Sequence, residues 1–246
     1  MESFFYTADT APEGVGFDAF GLGHILWLVG LVITLVICGI LYRRASDAAA
    51  AKWRKVMAIL LLVNEVLIKQ LPMILMGNWS VGHLPLHLCS VNICLVAWHA
   101  WKGGKLLGEF SYTVCIPGAL AALLFPNWTD APIYALTSIH SFSVHIQLVL
   151  YPVLLLVRGD IRPSWRRIPQ CLALLVALAA VAFVANQIFD TNFFFLSWAD
   201  EGNPLYWFEA NWGSHLLGFP VLISAVLLVM HLPLVIVEKL RKTKNA

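Results

Sequence analysis

Charge is what this sequence has least of. Only 12% of its 246 residues are Asp, Glu, Lys or Arg, against 60% hydrophobic residues, and the mean hydropathy is +0.78. That balance excludes a soluble globular domain, and a nucleic-acid partner is not expected. Basic residues are absent before Arg43, so the first apolar segment has no basic region ahead of it. Nothing near it resembles a small-residue cleavage site, so a removable signal peptide is not expected. The five cysteines, at 38, 89, 94, 115 and 171, avoid the connections where a disulfide framework would form, and free thiols are expected. There is no internal repeat, no low-complexity tract and no polar second domain, so residues 1–246 read as one membrane domain.

What is present is a series of apolar windows. A spanning helix needs about 20 mostly apolar residues, and such windows fall at 22–42, 56–76, 84–101, 106–125, 132–157, 170–189 and 214–238. The fold class is therefore all-α: a polytopic bundle of seven transmembrane helices surrounded by membrane lipids. Fifteen of the 16 Lys and Arg residues fall in the connections 43–55, 102–105 and 158–167 or in the tail after 238. Cytoplasmic loops are enriched in these residues, so the N-terminus is expected outside and the C-terminus in the cytoplasm. A bacterial inner (plasma) membrane is the expected location. Trp79, Trp128, Trp198, Trp207 and Trp212 read as an outer interfacial belt. Only 190–213 is long enough to form a lid.

The sixteenth basic residue, Lys69, lies inside the second window, four residues after Glu65. That spacing puts acid and base on one helical face, where they can pair. Ionisable groups at membrane depth are costly and mark polar pockets or functional sites. Glu65 can also orient a histidine. In the third window, "GHLPLHLCSVNICL" at 82–95 gathers His83, Pro85, His87, Cys89, Asn92 and Cys94, with Pro85 suited to the first helical turn. Cys89 and Asn92 share a face, whereas His87 and Cys89 are about 200° apart and cannot both face one partner. This spacing is poor for a metal claw, and neither a metal nor another cofactor is expected.

The fifth window places Ser138, Ser141 and His145 on one stripe and His140 and Gln147 on another. Asn186, Asn192 and His215 fall at the same depth from later segments, so with Lys69, Asn92 and His140 they are candidate substrate-binding residues. His24, His83, His99 and His231 read as interfacial. A thiol, an imidazole and a carboxylate from separate helices are the parts of a nucleophile, a base and an orienter for acyl transfer. Cys89 is then the nucleophile, His145 the base, and Glu65 or His87 the orienter. The same polar pocket could instead serve a non-enzymatic transporter or binding protein for a small amphiphile.

Three stretches, "LPLHLCS" at 84–90, "HIQLVLYPVLLLVRGDIRP" at 145–163 and "TNFFFLSWADEGNP" at 191–204, run in one order along the chain. On these the sequence resembles the bacterial YwaF-type family of integral membrane proteins, related to the transmembrane protein 164 acyltransferases. The resemblance implies a multi-helix membrane fold and transfer or hydrolysis of glycerophospholipid acyl chains, using a membrane-embedded cysteine and a histidine. By position His145 matches the helix-five histidine, and His87 and Cys89 are the motif residues of the third helix.

Overall fold

The computed structural model describes residues 2–7, 10–200 and 203–244, with the backbone alone for residue 2 and for 237–244. The described residues form helices and connections without strands, and seven helices are long and apolar enough to cross a membrane. With one short helix, α7, added to these spans, we number α1 (Leu22–Arg43), α2 (Asp47–Leu75), α3 (Leu88–Lys102), α4 (Lys105–Leu124), α5 (Leu136–Arg158), α6 (Ile168–Phe189), α7 (Pro204–Trp212) and α8 (Gly218–Lys244). α7 is a short helix between the sixth and seventh spans; the sequence suggested only a long loop there. Pro204 opens it at a position where a missing N–H is harmless, and the Asn203 side chain accepts from Leu205 N.

The helix bounds follow local chemistry more than hydropathy. α2 starts nine residues before its apolar window because Ser46 caps it, accepting from Ala49 N. Lys52, Arg54 and Lys55 therefore lie on its first turns rather than in a loop. Pro85 does not open α3. It sits in the turn after the short 3₁₀ segment Val81–His83, and His87 is the residue that precedes the helix. The five cysteines are free.

Two spans contain a widened turn, Asn64–Gln70 in α2 and Ser111–Cys115 in α4, each closed by i→i+5 rather than i→i+4 bonds. In both cases a proline follows two residues later, Pro72 and Pro117. Proline has no N–H to give, and its ring collides with the carbonyl four residues back. Widening the turn moves that carbonyl aside, and such turns recur at functional sites.

α5 is the axis of the bundle. It packs against α1, α2, α3 and α4, and 61% of the apolar 18-residue stretch of both α4 and α5 is buried, against 6% of that of the last span. Lipid tails are as apolar as leucine, so close packing rather than hydrophobic exclusion holds such spans together. The packing centres on Phe142, which is fully buried: Trp27 of α1 stacks on it at 4.9 Å and 7°, and Phe17 and Trp128 close its other sides.

Three histidines expected at the interfaces are instead buried and hydrogen-bonded. His24 accepts from Phe20 N through Nδ1 and donates to the Leu123 carbonyl, 2.7 Å from Nε2. His99 Nδ1 lies 2.7 Å from the Tyr151 hydroxyl, and His231 Nε2 lies 3.3 Å from Thr113 Oγ1. The carbonyls and hydroxyls they meet come from neighbouring helices, which spacing along the chain does not show.

Basic residues of the connections α1–α2, α3–α4 and α5–α6 gather at one end of the bundle, called here the basic end. The side chains of Lys239, Arg241, Lys242 and Lys244 in the tail lie outside the described residues.

Candidate active site

The N-terminal turns of α3 sit in a wedge between α2 and α5. Successive residues on a helix point about 100° apart, and α3 uses this: Ser90 turns to α2 and Cys89 to α5. The Cys89 thiol and the His145 imidazole face and interact with each other. Ser90 Oγ donates to Glu65 Oε1 at 3.2 Å. Together the two contacts fix the rotation of α3.

His145 is held from two further sides. Its Nδ1 lies 2.6 Å from the carbonyl oxygen of Ser141, one turn back on α5. A carbonyl can only accept, so Nδ1 carries the hydrogen and Nε2 is left with its lone pair. Trp128 stacks on the ring, centroids 5.4 Å apart and planes 11° from parallel. Trp128 is thus a half-buried wall of the site, its indole N–H without a partner among the described residues, rather than a member of an exposed belt. Trp79, Trp198, Trp207 and Trp212 are exposed.

Glu65 is the hub of a second, adjoining network. Oε1 accepts from Lys69 Nζ at 3.1 Å and from Gln70 Nε2 at 3.2 Å, besides Ser90, while Oε2 lies 3.6 Å from His140 Nε2. In an ordinary α-helix Glu65 and Gln70 would point about 140° apart; the widened turn brings both to one face. His140 Nδ1 donates to Asn64 Oδ1 at 3.0 Å, and Asn64 Nδ2 donates to Ser143 Oγ at 2.6 Å. A buried carboxylate is tolerable only when so surrounded.

The remaining candidates separate. Asn92, one turn along α3 from Cys89, is buried at 3% exposure, and its amide makes no hydrogen bond among the described residues. His87 faces away from the thiol's side: its ring meets Phe193 edge-on at 5.0 Å and its Nε2 lies 3.3 Å from the Gly82 carbonyl. Asn186 holds the loop after α6, its Oδ1 accepting from Phe193 N and Thr191 Oγ1 and its Nδ2 donating to Phe193 O. Asn192 likewise bonds Ser197 N, Trp198 N and Trp198 O. His215 pairs through Nδ1 with Glu209 of α7 at 3.1 Å. The polar contacts of these four lie outside the Cys89–His145 pair, and His215 Nε2 has no partner among the described residues.

That loop is strained. Asp190, Phe194 and Phe195 all have positive φ, at 53°, 60° and 55°, a region where a bulky side chain is a true outlier. The strain is repaid by burial of Phe193 and Phe194 against Leu86, Leu88 and Val91 at the mouth of α3. Among the described residues no group of three or more His, Cys, Asp or Glu could hold a metal ion.

Sequence spacing did not point to Gln70, Asn64, the Ser141 carbonyl or Trp128. A proline two residues past a polar stretch is the signal that could have found Gln70.

No curated protein and no solved structure matches the chain. The family comparison does: with the model of the TMEM164 family aligned over residues 19–231, from the start of α1 to the last span and through every residue of the site, this membrane protein belongs to the TMEM164 family.

Proposed function

We propose that the protein is a membrane-embedded lipid acyltransferase or hydrolase acting on glycerophospholipid acyl esters. Cys89 is its nucleophile and His145 its general base. The observation that carries this reading is the Cys89–His145 pair, with the imidazole locked so that Nε2 is free to take the thiol proton. Family membership supports it. The positive-inside distribution supports placing the pair in the outer half of the membrane, with the N-terminus outside.

In the first half-reaction the Sγ proton passes to His145 Nε2 and the thiolate attacks the ester carbonyl carbon. The C–O bond to glycerol breaks, and the leaving oxygen takes the proton back from His145. A lysolipid and a Cys89 thioester result. In the second half-reaction the hydroxyl of another lysolipid, or water, gives its proton to His145 and attacks the thioester. The departing thiolate recovers that proton. The amide of Asn92, one turn along α3 from Cys89, is the donor for the carbonyl oxygen as it becomes an oxyanion, a role worth about 10²–10³-fold in rate. Glu65, with Lys69 and His140 around it, sets α3 through Ser90 and so positions the thiol.

The test is an acyl-enzyme trap. The purified protein is incubated with a phospholipid carrying a labelled acyl chain, and hydroxylamine-sensitive label on protein is measured. Label is expected on the wild type and none on Cys89→Ala. An unlabelled wild type that binds the lipid would instead make the pocket that of an amphiphile-binding protein or transporter. Equal label on Cys89→Ala would move the nucleophile elsewhere.

A further inference from the structure

At the basic end, about 20 Å along α3 from Cys89, the surface opens into a cavity of about 1200 Å³. Six cations line it: Arg54, Lys102, Lys105, Arg162, Arg166 and Arg167. Two acids share the wall, and both are already paired, Asp160 with Arg54 at 3.1 Å and Glu109 with Arg167 at 3.5 Å. Lys102, Lys105, Arg162 and Arg166 have no acidic partner among the described residues.

The backbone adds to the same field. α4 starts at Lys105 behind Gly103 and Gly104, whose φ values of 68° and 120° suit glycine, and no side chain caps it. α6 instead continues from the 3₁₀ turn Trp165–Arg167, which Ser164 caps by accepting from Arg166 N. The N-terminus of α4 borders the cavity, and its first N–H groups carry positive partial charge. Cytoplasmic enrichment in basic residues accounts for cations on this end of the bundle. It does not account for four exposed, unpaired ones around one cavity beside an uncapped helix start, an arrangement that favours an anion. Trp101 and Trp165, exposed beside the cavity, mark its depth as that of the membrane–water interface.

We propose that this cavity binds a phosphorylated anion of headgroup size, a glycerophosphate carried by an anionic phospholipid or by a soluble phosphate ester. The volume is above the range of about 300–1000 Å³ typical of small-molecule sites, so bare phosphate would leave most of it unfilled. The site stands apart from the Cys89–His145 pair and does not rest on the acyl-transfer reading.

The experiment uses the full chain in nanodiscs of equal phosphatidylcholine and phosphatidylglycerol, released for native mass spectrometry. Retained adducts are expected to favour phosphatidylglycerol. Arg162→Gln with Arg166→Gln is expected to lower that preference about fivefold for each cation removed. Arg43→Gln with Arg44→Gln, at the same end but outside the cavity, is expected to leave it unchanged. A soluble arm titrates sn-glycerol 3-phosphate into delipidated protein and reads the melting temperature. A rise lost in the Arg162/Arg166 variant, without lipid preference, supports the cavity and assigns its ligand to a soluble ester. If that variant does not fold, Lys102→Gln with Lys105→Gln tests the opposite wall. No lipid preference together with no thermal shift overturns the proposal, and so does equal loss in the Arg43/Arg44 control.

Discussion

The indole of Trp128 lies almost parallel to the imidazole of His145, centroids 5.4 Å apart, in the connection between α4 and α5. It closes one face of the ring, while the Ser141 carbonyl fixes Nδ1. Aromatic pairs contribute about 0.5–1.5 kcal/mol beyond their area. Trp128→Leu should therefore slow acyl-enzyme formation by about 2- to 10-fold, with Trp128→Phe close to wild type. Single-turnover labelling of Cys89 measures both, and a Trp128→Phe variant as slow as Trp128→Leu would remove stacking as the cause.

Removing the proposed base should cost much more. General-base assistance contributes about 10²–10⁴-fold, and His145→Gln keeps the ring's approximate volume without a basic nitrogen. Acyl transfer in that variant should fall within that range. Alkylation of the half-buried Cys89 by a membrane-permeant maleimide should slow with it, while the exposed Cys94 reacts at its wild-type rate as an internal control. Unchanged Cys89 alkylation would show that His145 does not activate the thiol.

Much of this was legible in the residues. Seven apolar windows give seven spans because length and hydropathy alone decide whether a helix can cross. The four-residue spacing of Glu65 and Lys69 gave their ion pair, and the period of α5 sent His140 and His145 to different neighbours. The same helical arithmetic said that only one of His87 and Cys89 could face the histidine. Contacts set by other helices were not legible. His24, His99 and His231 looked interfacial because the carbonyl or hydroxyl each one meets lies far away in the chain. Trp128 looked like a belt residue because composition does not reveal what a loop folds over. Phe194 and Phe195 take left-handed backbone with no glycine or asparagine to announce it, since burial of neighbouring rings outweighs the local preference.

Glu65 and Lys69 should be strongly coupled. Removing one partner of a buried pair leaves the other uncompensated, at about 3–5 kcal/mol, whereas replacing both with apolar residues is often near neutral. Glu65→Leu should therefore destabilise the protein strongly in a detergent unfolding titration, and Glu65→Leu with Lys69→Met should recover a large part of the loss. Recovery stays incomplete, because Gln70, Ser90 and His140 also lose an acceptor. A strictly additive double variant would mean that the two side chains are not energetically paired.

Asn186 presents the opposite case, a polar residue whose work is confined to one loop. Its amide makes three hydrogen bonds to residues 191 and 193, each worth about 0.5–1.5 kcal/mol net. The loop they hold carries three positive φ values at non-glycine residues, each costing about 1–3 kcal/mol. Without the amide the strain has too little to oppose it. Asn186→Ala should release the segment 190–200 locally, making it sensitive to limited proteolysis, while the unfolding midpoint of the bundle moves little. Asn186→Asp should behave alike, because the Phe193 carbonyl needs a donor that a carboxylate lacks. Phe193 leaves the mouth of α3 with the loop, so the ring contact with His87 goes too. If the Cys89–His145 pair needs that plug to exclude water, hydrolysis should rise relative to transfer in the same variant. An unchanged ratio of free fatty acid to transferred acyl chain would confine Phe193 to packing.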